Sequence, residues 1–333
     1  MKKIVGIGNA LTDVLVNLND DNILAEFALS KGSMSLMDEN LQERISEKTN
    51  ELTHSLSLGG SAANTVRALA HLGAELGFIG KVGDDATGDF YSEALCELGV
   101  KPFLLRSETK SGRCLSLISG DGERTMATYL GAALEMTSPE ILDDMLEGYD
   151  CLYVEGYLVQ NHDLIGYAVS RAKSLGLMVA LDMASFNVVE DNLDFLKDLV
   201  KNHIDIIFAN ETEAEVFTGE KDPEKALEII AENCSIAVVK VGPKGAYIKK
   251  DGVVSFVGVL SSAVRVDTTG AGDYFAAGFL WGLTQNLSVA QCASVGAITA
   301  GAVIEIVGTT LSDAAWAKIL QLVEKVKKGE LLF

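Results

Sequence analysis

Proline is scarce in this 333-residue chain, with 4 in all, and basic residues are outnumbered, 27 Lys and Arg against 47 Asp and Glu. The net charge of −20 repels phosphate backbones and anionic membrane surfaces, so neither nucleic acid nor membrane is expected as a partner. No cluster of Lys or Arg offsets it. The one mildly basic stretch, Lys325, Lys327 and Lys328, suits a helix end, where cations complement the dipole. The five cysteines (Cys96, Cys114, Cys151, Cys234, Cys292) are odd in number, widely spaced and without a C-x-x-C pair. That argues against a disulfide framework and a cysteine-based zinc site, and points to reduced, mostly buried thiols in a cytoplasm. The longest apolar stretch, around residues 293–304, falls short of the roughly 20 residues that span a bilayer. Asp13 interrupts the apolar run after Met1-Lys2-Lys3, so a first strand is expected there and not a leader. The N-x-S/T matches at Asn210 and Asn286 mean little without a secretory route. No G-x-x-x-x-G-K-[ST] occurs, which excludes a P-loop.

What is present is an ordinary globular composition, 48 % apolar and 22 % charged, enriched in glycine at 32 residues. So many glycines suggest tight turns, or backbone lying close to a ligand. The length suggests one large unit with a small appendage. Short β-branched runs (3–8, 76–82, 151–155, 178–182, 204–209, 236–241) alternate with helical patterns (59–72, 85–98, 164–175, 211–217, 223–233, 270–283, 289–303, 312–327). This alternation predicts an α/β fold with a doubly wound, mostly parallel central sheet flanked by helices. Residues 14–37 and 103–130 break the rhythm with short alternating strands and turn residues, Gly120-Asp121-Gly122 most clearly. They predict a small antiparallel β-sheet placed as a lid on a single domain over 1–333.

The run Asp267-Thr268-Thr269-Gly270-Ala271-Gly272-Asp273 opens an amphipathic helix. First-turn N–H groups lack internal partners and can point at an anion, and glycines let a phosphate approach. Asp273 in that turn can take a proton from an attacking hydroxyl; equally, it can simply stabilise a helix N-terminus. Asp13 after the first strand can accept two hydroxyl hydrogen bonds or serve a turn. Gly59-Gly60-Ser61 can approach a ligand, or start a helix with Ser61 as its cap. Asn210 and Glu213 share one helical face and can reach one hydrated magnesium; alone, Glu213 reads as a solvated helical residue. Gly6-Ile7-Gly8-Asn9-Ala10-Leu11 begins like a dinucleotide fingerprint, but its third glycine is missing.

The D-T-T-G-A-G-D run resembles the C-terminal signature of the PfkB, or ribokinase-like, family of carbohydrate and nucleoside kinases, and the likeness extends over essentially the whole chain. Other landmarks follow in order: Gly8-Asn9-Ala10-Leu11-Thr12-Asp13, Gly59-Gly60-Ser61-Ala62-Ala63-Asn64-Thr65, Gly80-Lys81-Val82-Gly83-Asp84-Asp85, Asn210-Glu211-Thr212-Glu213, and Val239-Lys240-Val241-Gly242-Pro243-Lys244-Gly245. Residues 122–132 and 153–157 look most like bacterial adenosine-kinase-like members. The resemblance implies a ribokinase-like fold and transfer of the ATP γ-phosphoryl group to a primary hydroxymethyl group. Asp273 would be the base and Gly270, Ala271 and Gly272 the anion hole. Asp13, Gly59, Gly60, Asn64, Glu155 and Arg124 would face the acceptor, Arg124 reaching from the lid toward the phosphates. Asn210, Lys240, Gly242, Gly245 and Thr268 would border ATP. Asn210 and Glu213 would position magnesium through water, and Asp267 and Thr269 would lie nearest a potassium ion. Glu155 stands where sugar kinases of the family carry a Glu, whereas eukaryotic adenosine kinases carry a small residue there. Adenosine, another nucleoside, ribose, fructose and a keto-deoxy sugar acid all remain open as acceptors. Either a monomer or a homodimer fits. A dinucleotide-dependent oxidoreductase and a ligand-binding homologue without catalysis are the competing readings.

Overall fold

The computed structural model describes residues 1–330 and 333. Its large sheet runs Val253–Val257, Ala246–Lys250, Ile236–Lys240, Ile206–Asn210, Met178–Asp182, Cys151–Glu155, Lys3–Ile7, Glu75–Gly83 and Lys101–Ser107. The pairings are parallel except for the hairpin formed by the first two strands of that order and its junction with Ile236–Lys240. Central strands such as Ile-Ile-Phe-Ala and Ile-Ala-Val-Val are apolar on both faces because helices cover both. On one side pack Ser61–His71, Ala86–Glu97, Ala271–Thr284, Val289–Val303 and Asp313–Lys327; on the other, His162–Ser174, Leu193–His203, Glu211–Thr218 and Pro223–Ile230. The expected α/β architecture is thus present. Among the described residues no helix is long and apolar enough to cross a membrane. The five cysteines are free, and Cys114, Cys151 and Cys292 are buried.

A second, five-stranded sheet runs Met34–Leu36, Arg124–Tyr129, Gly112–Ile118, Leu11–Asn17 and His54–Gly59. It contains antiparallel pairs, but Leu11–Asn17 joins Gly112–Ile118, and Met34–Leu36 joins Arg124–Tyr129, in parallel. Its composition differs from the sequence expectation in two places. Lys101–Ser107 lies at the edge of the large sheet; its Pro102 and terminal charges, which suit any edge strand, made it look like part of the appendage. His54–Gly59, a serine-rich strand with a weak apolar pattern, was not foreseen and supplies the other edge. A small core of Val16, Leu18, Leu24, Ile45, Leu115 and Leu117 holds this sheet to the helix Glu39–Thr49. After Gly8 the chain enters the strand Leu11–Asn17 and no helix follows, so the dinucleotide fingerprint has no phosphate-binding helix.

The Gly80–Asp85 landmark is structural. Lys81 donates to Glu135 O and Glu140, pinning the segment after the second sheet, and Asp85 caps Ala86–Glu97 while binding Ser111. Helices Ala271–Thr284 and Val289–Val303 pack almost backbone to backbone: a Cβ on Gly278 would stand 2.7 Å from Gly296 N and 2.6 Å from Thr299 Oγ1. Thr299 also donates to Tyr274 O at 2.7 Å. Gly278→Val should therefore destabilise the fold by about 1–3 kcal/mol or more through overpacking, read as a lower denaturant midpoint with an unchanged slope.

Candidate active site

The parallel strands end on one side, and each delivers a polar residue there: Asn9 just beyond Lys3–Ile7, then Glu155, Asp182, Asn210 and Lys240. Ligands in open α/β sheets bind in the crevice outside these carboxyl ends. The helix Ala271–Thr284 starts beside them. Gly270, at φ +75°, makes the turn that no β-branched residue would accept, and its Cα packs on Thr309. Among the described residues the N–H groups of Gly270 and Gly272 find no protein acceptor, whereas Ala271 N–H donates to Thr268 O at 3.2 Å. Thr268 itself is exposed at the rim.

Asp273 lies in the first turn, half-buried. Ser61 Oγ donates to its Oδ1 at 2.6 Å and Asn64 Nδ2 to its Oδ2 at 2.9 Å. Removal from water pushes its carboxyl up to about 6; the Ser61 and Asn64 hydrogen bonds pull the other way. Ser61 and Asn64 stand on the helix Ser61–His71, which begins at Gly60 with φ +94°, tight against Asn9 O. Gly59 leaves room for the Asp13 carboxylate, which a Cβ there would strike. Glu155 is fully buried. Asn9 Nδ2 donates to its Oε1 at 2.7 Å and Ala62 N to its Oε2 at 2.9 Å, and burial pushes it up to about 7. It thus joins the end of the first strand to the start of the Asn64 helix.

Arg124 begins the strand Arg124–Tyr129 and buries its side chain between the small sheet and the loop that carries Asp267. Its Nη2 stands 3.8 Å from Asp13 Oδ2 and its Nη1 3.7 Å from Asp267 Oδ2, while Nε donates to Ser116 at 2.9 Å. Nη1 is buried without a hydrogen-bond partner. Burial raises the Asp13 carboxyl, and Arg124, then Arg67, oppose the rise. Burial also works against charge on Asp267, but the Gly308 and Thr269 N–H groups outweigh it and hold that carboxyl below its ordinary value.

On the other flank, Asn210 and Glu213 form a reciprocal cap. Glu213 N donates to Asn210 Oδ1 at 2.9 Å, and Asn210 N donates back to Glu213 Oε2 at 2.8 Å. Burial pushes Glu213 up to about 7 despite nearby Lys240. Lys240 Nζ donates to Asp182 at 3.0 Å and stands 3.1 Å from where a Gly272 Cβ would be, at the edge of the Gly270 turn. Burial disfavours its charge, but Asp182 and Glu213 more than restore it. Gly242 and Gly245 bound the turn that follows Lys240. Among the described residues no three His, Cys, Asp or Glu side chains gather around one point as a metal cage. A donor set this sparse suits magnesium that keeps most of its waters and rides on phosphates.

Three residues here escaped sequence reasoning. Asp182, at the end of Met178–Asp182, pairs with Lys240; its signal was a lone acid closing a buried strand. Arg67 is buried behind Asn64. Tyr157, 38 % exposed, follows Glu155 by two residues at the carboxyl end of Cys151–Glu155, and burial, then Glu155, pushes its hydroxyl up to about 12.

A family model described as pfkB family carbohydrate kinase matches residues 30–316. The chain is 26 % identical to the guanosine-inosine kinase of Escherichia coli (strain K12), over 74 % of this chain and 59 % of that protein, so it spans less than two thirds of that relative's length. It superposes on the crystal structure of adenosine kinase from Sinorhizobium meliloti with a TM-score of 0.84 and 31 % identity, covering 96 % of this chain and 99 % of that one. A probable sugar kinase from Rhizobium etli CFN 42 gives 0.85 and 30 %, covering 96 % and 98 %.

The carboxyl groups that burial raises bind more protons in the folded than in the unfolded chain between their two titration ranges. Their contribution to stability therefore falls as pH rises from about 4 to about 6 for Asp273. Asp273→Asn should melt higher than the parent at pH 8, by roughly 1–3 kcal/mol of stability, with the gap closing toward pH 4. Thermal unfolding at both pH values reads this directly.

Proposed function

The chain belongs to the pfkB family of carbohydrate kinases, and we propose that it transfers the γ-phosphoryl group of ATP to a primary hydroxymethyl group of a nucleoside, adenosine-like in shape. The observation that carries this reading is Asp273, held by Ser61 and Asn64 in the first turn of a helix whose Gly270 and Gly272 N–H groups are unclaimed. A base that titrates near 6 is mostly ionised at neutral pH yet still basic enough to accept a hydroxyl proton.

The acceptor lies among Asp13, Gly59, Gly60, Asn64 and Asp273. Its hydroxyl oxygen attacks the γ-phosphorus, Asp273 takes the hydroxyl proton, and the bond to the β-phosphate oxygen of ADP breaks. Charge on the transferring oxygens meets the N–H groups of Gly270 and Gly272 and the positive end of their helix, while the Ala271 N–H, expected as a third donor, is engaged by Thr268 O. Arg124 adds its spare Nη1 from the small sheet, which acts as the lid of one kinase unit over the whole chain. ATP lies along Lys240, Gly242, Gly245 and Thr268, with Lys240 beside Gly272 as the cation on the donor side. Asn210 and Glu213, which here cap each other, would hold water of a magnesium ion, and that ion would neutralise phosphate charge. Asp267 and Thr269 order the loop under the anion site, where potassium would sit.

Tyr157 supports a nucleoside over a free sugar: a partly exposed aromatic side chain two residues after Glu155 is a surface on which a flat base can stack. A free sugar is the second reading, favoured by Glu155 at the floor of the acceptor site, although both its oxygens already serve Asn9 and Ala62.

ADP release from ATP·Mg²⁺ with potassium, across nucleosides, ribose, fructose and a keto-deoxy sugar acid, tests the reading and names the acceptor. A purine nucleoside should stimulate turnover most; ATP binding with no stimulated turnover would favour a silent homologue. Asp273→Asn should lower kcat by about 10²–10⁴ while still binding the acceptor. In the native enzyme kcat/KM should rise with pH through about 6 as Asp273 ionises.

A further inference from the structure

Behind the proposed base stands a cation that touches no phosphate or acceptor position. We propose that Arg67 is a positioning residue: its buried guanidinium fixes the amide of Asn64 so that the NH₂ group faces Asp273, and ties the Thr309 loop to both. This rests on the reading of Asp273 as the base.

Arg67 is 5 % exposed and lies one turn after Asn64 on the same helix face. Its Nη2 donates to Asn64 Oδ1 at 2.9 Å, to Thr309 O at 2.6 Å and to Thr309 Oγ1 at 2.6 Å. Its Nη1 donates to Leu58 O at 2.8 Å, just before Gly59 and Gly60, and reaches Thr310 Oγ1 at 3.5 Å. Each of these acceptors is neutral, and Nε finds none. Among the described residues no carboxylate stands within ion-pair distance, although Asp13 is near enough to feel the charge, and a buried charge held only by neutral acceptors is expensive for a residue with only a packing role.

The chemistry of the contacts explains the choice. An asparagine amide can turn by 180° and exchange its oxygen and nitrogen with little change of shape. A guanidinium is donor only, so Asn64 must present Oδ1 to it. Thr309 Oγ1 accepts from Arg67 and donates to the same Oδ1 at 3.0 Å, which reinforces that orientation. The NH₂ group is then forced toward Asp273, where it donates at 2.9 Å. A turned amide would set oxygen against oxygen there and deprive the carboxylate of one of its two donors. The same guanidinium also fixes the loop that Gly270 packs on and whose Thr309 O accepts from Tyr274 OH at 2.6 Å. Arg67 thus aligns acceptor-side helix, base and anion-site turn at once.

The test compares Arg67→Lys and Thr309→Val with the parent and with Asp273→Asn, using ATP·Mg²⁺ and adenosine as the kinetic probe. The direct readout needs no turnover: a ¹³C-carboxyl NMR titration of aspartate-labelled protein, with the Asp273 line identified by its loss in Asp273→Asn. The titration midpoint of Asp273 should move to higher pH in Arg67→Lys, whose single ammonium cannot keep all the acceptors of the guanidinium, and by a smaller step in Thr309→Val, which loses only the reinforcing donor to Asn64 Oδ1. The acid limb of kcat should follow it, and kcat should fall by roughly 10–100-fold with the ATP KM little changed. Thr309→Val keeps the buried charge and carries the comparison if Arg67→Lys does not fold. A lower melting temperature with an unmoved Asp273 midpoint would overturn the proposal and leave Arg67 a structural residue. An active Asp273→Asn would instead overturn the base assignment beneath it.

Discussion

One carboxylate joins two helix N-termini that lie 212 residues apart in sequence. Asp273, in the first turn of Ala271–Thr284, accepts from Ser61 and Asn64 in the first turns of Ser61–His71. The carboxyl group at one helix start accepts from the other, and the two helices pack against each other. Much of the site's geometry follows from that meeting. Gly60 must be a glycine because the second helix starts hard against Asn9 O. Gly270 must turn with positive φ because the first starts hard against Thr309. Among the described residues the N–H groups of Gly270 and Gly272 are left without a protein acceptor, beside Lys240, which suits the proposed phosphate position.

Around this pair the acids fall into two electrostatic classes. Asp267 is held ionised by backbone N–H groups and belongs to the loop under the anion site. Asp273, Glu155 and Glu213 are raised by burial: Asp273, near 6, stays mostly ionised at neutral pH, whereas Glu155 and Glu213, near 7, keep only part of their charge. Such raised acids cluster where chemistry is done, because a base must be both available and basic. Structural ion pairs raise or lower acids as well, and here geometry separates the cases. Glu155 and Glu213 spend their oxygens on backbone and amide donors that shape neighbouring strands and helices. Asp273 accepts from side chains alone, Ser61 and Asn64, and sits in the same helical turn as the open N–H group of Gly272.

The local parts of this arrangement were legible in the sequence. D-T-T-G-A-G-D, G-G-S-A-A-N and N-E-T-E each announce a helix start through residues a few positions apart, and each helix starts within a residue or two of the expected place. The unread parts depend on distant pairings. Arg67 looks like any helical arginine until Thr309 and Leu58 come round it. Asp182 gains meaning only when Lys240, two strands away, reaches it. His54–Gly59 and Lys101–Ser107 have patterns that fit either sheet, and their partners decided between them.

Arg124 shows how the small sheet is coupled to the charge of the site. Its guanidinium lies between Asp13, on the small sheet, and Asp267, under the anion turn, at 3.8 and 3.7 Å. These are attractions without hydrogen bonds, so they hold the sheet over the crevice while leaving Nη1 unsatisfied. A phosphoryl oxygen arriving at the Gly270 turn offers that nitrogen the short, charge-assisted bond that neither carboxylate gives it. On this reading closure is favoured most when a phosphate is present, and the hydroxyl bound by Asp13 is brought under the same cation. Binding of acceptor and donor then stabilise one closed arrangement through one side chain, which is the coupling a kinase needs to keep water from the phosphoryl group.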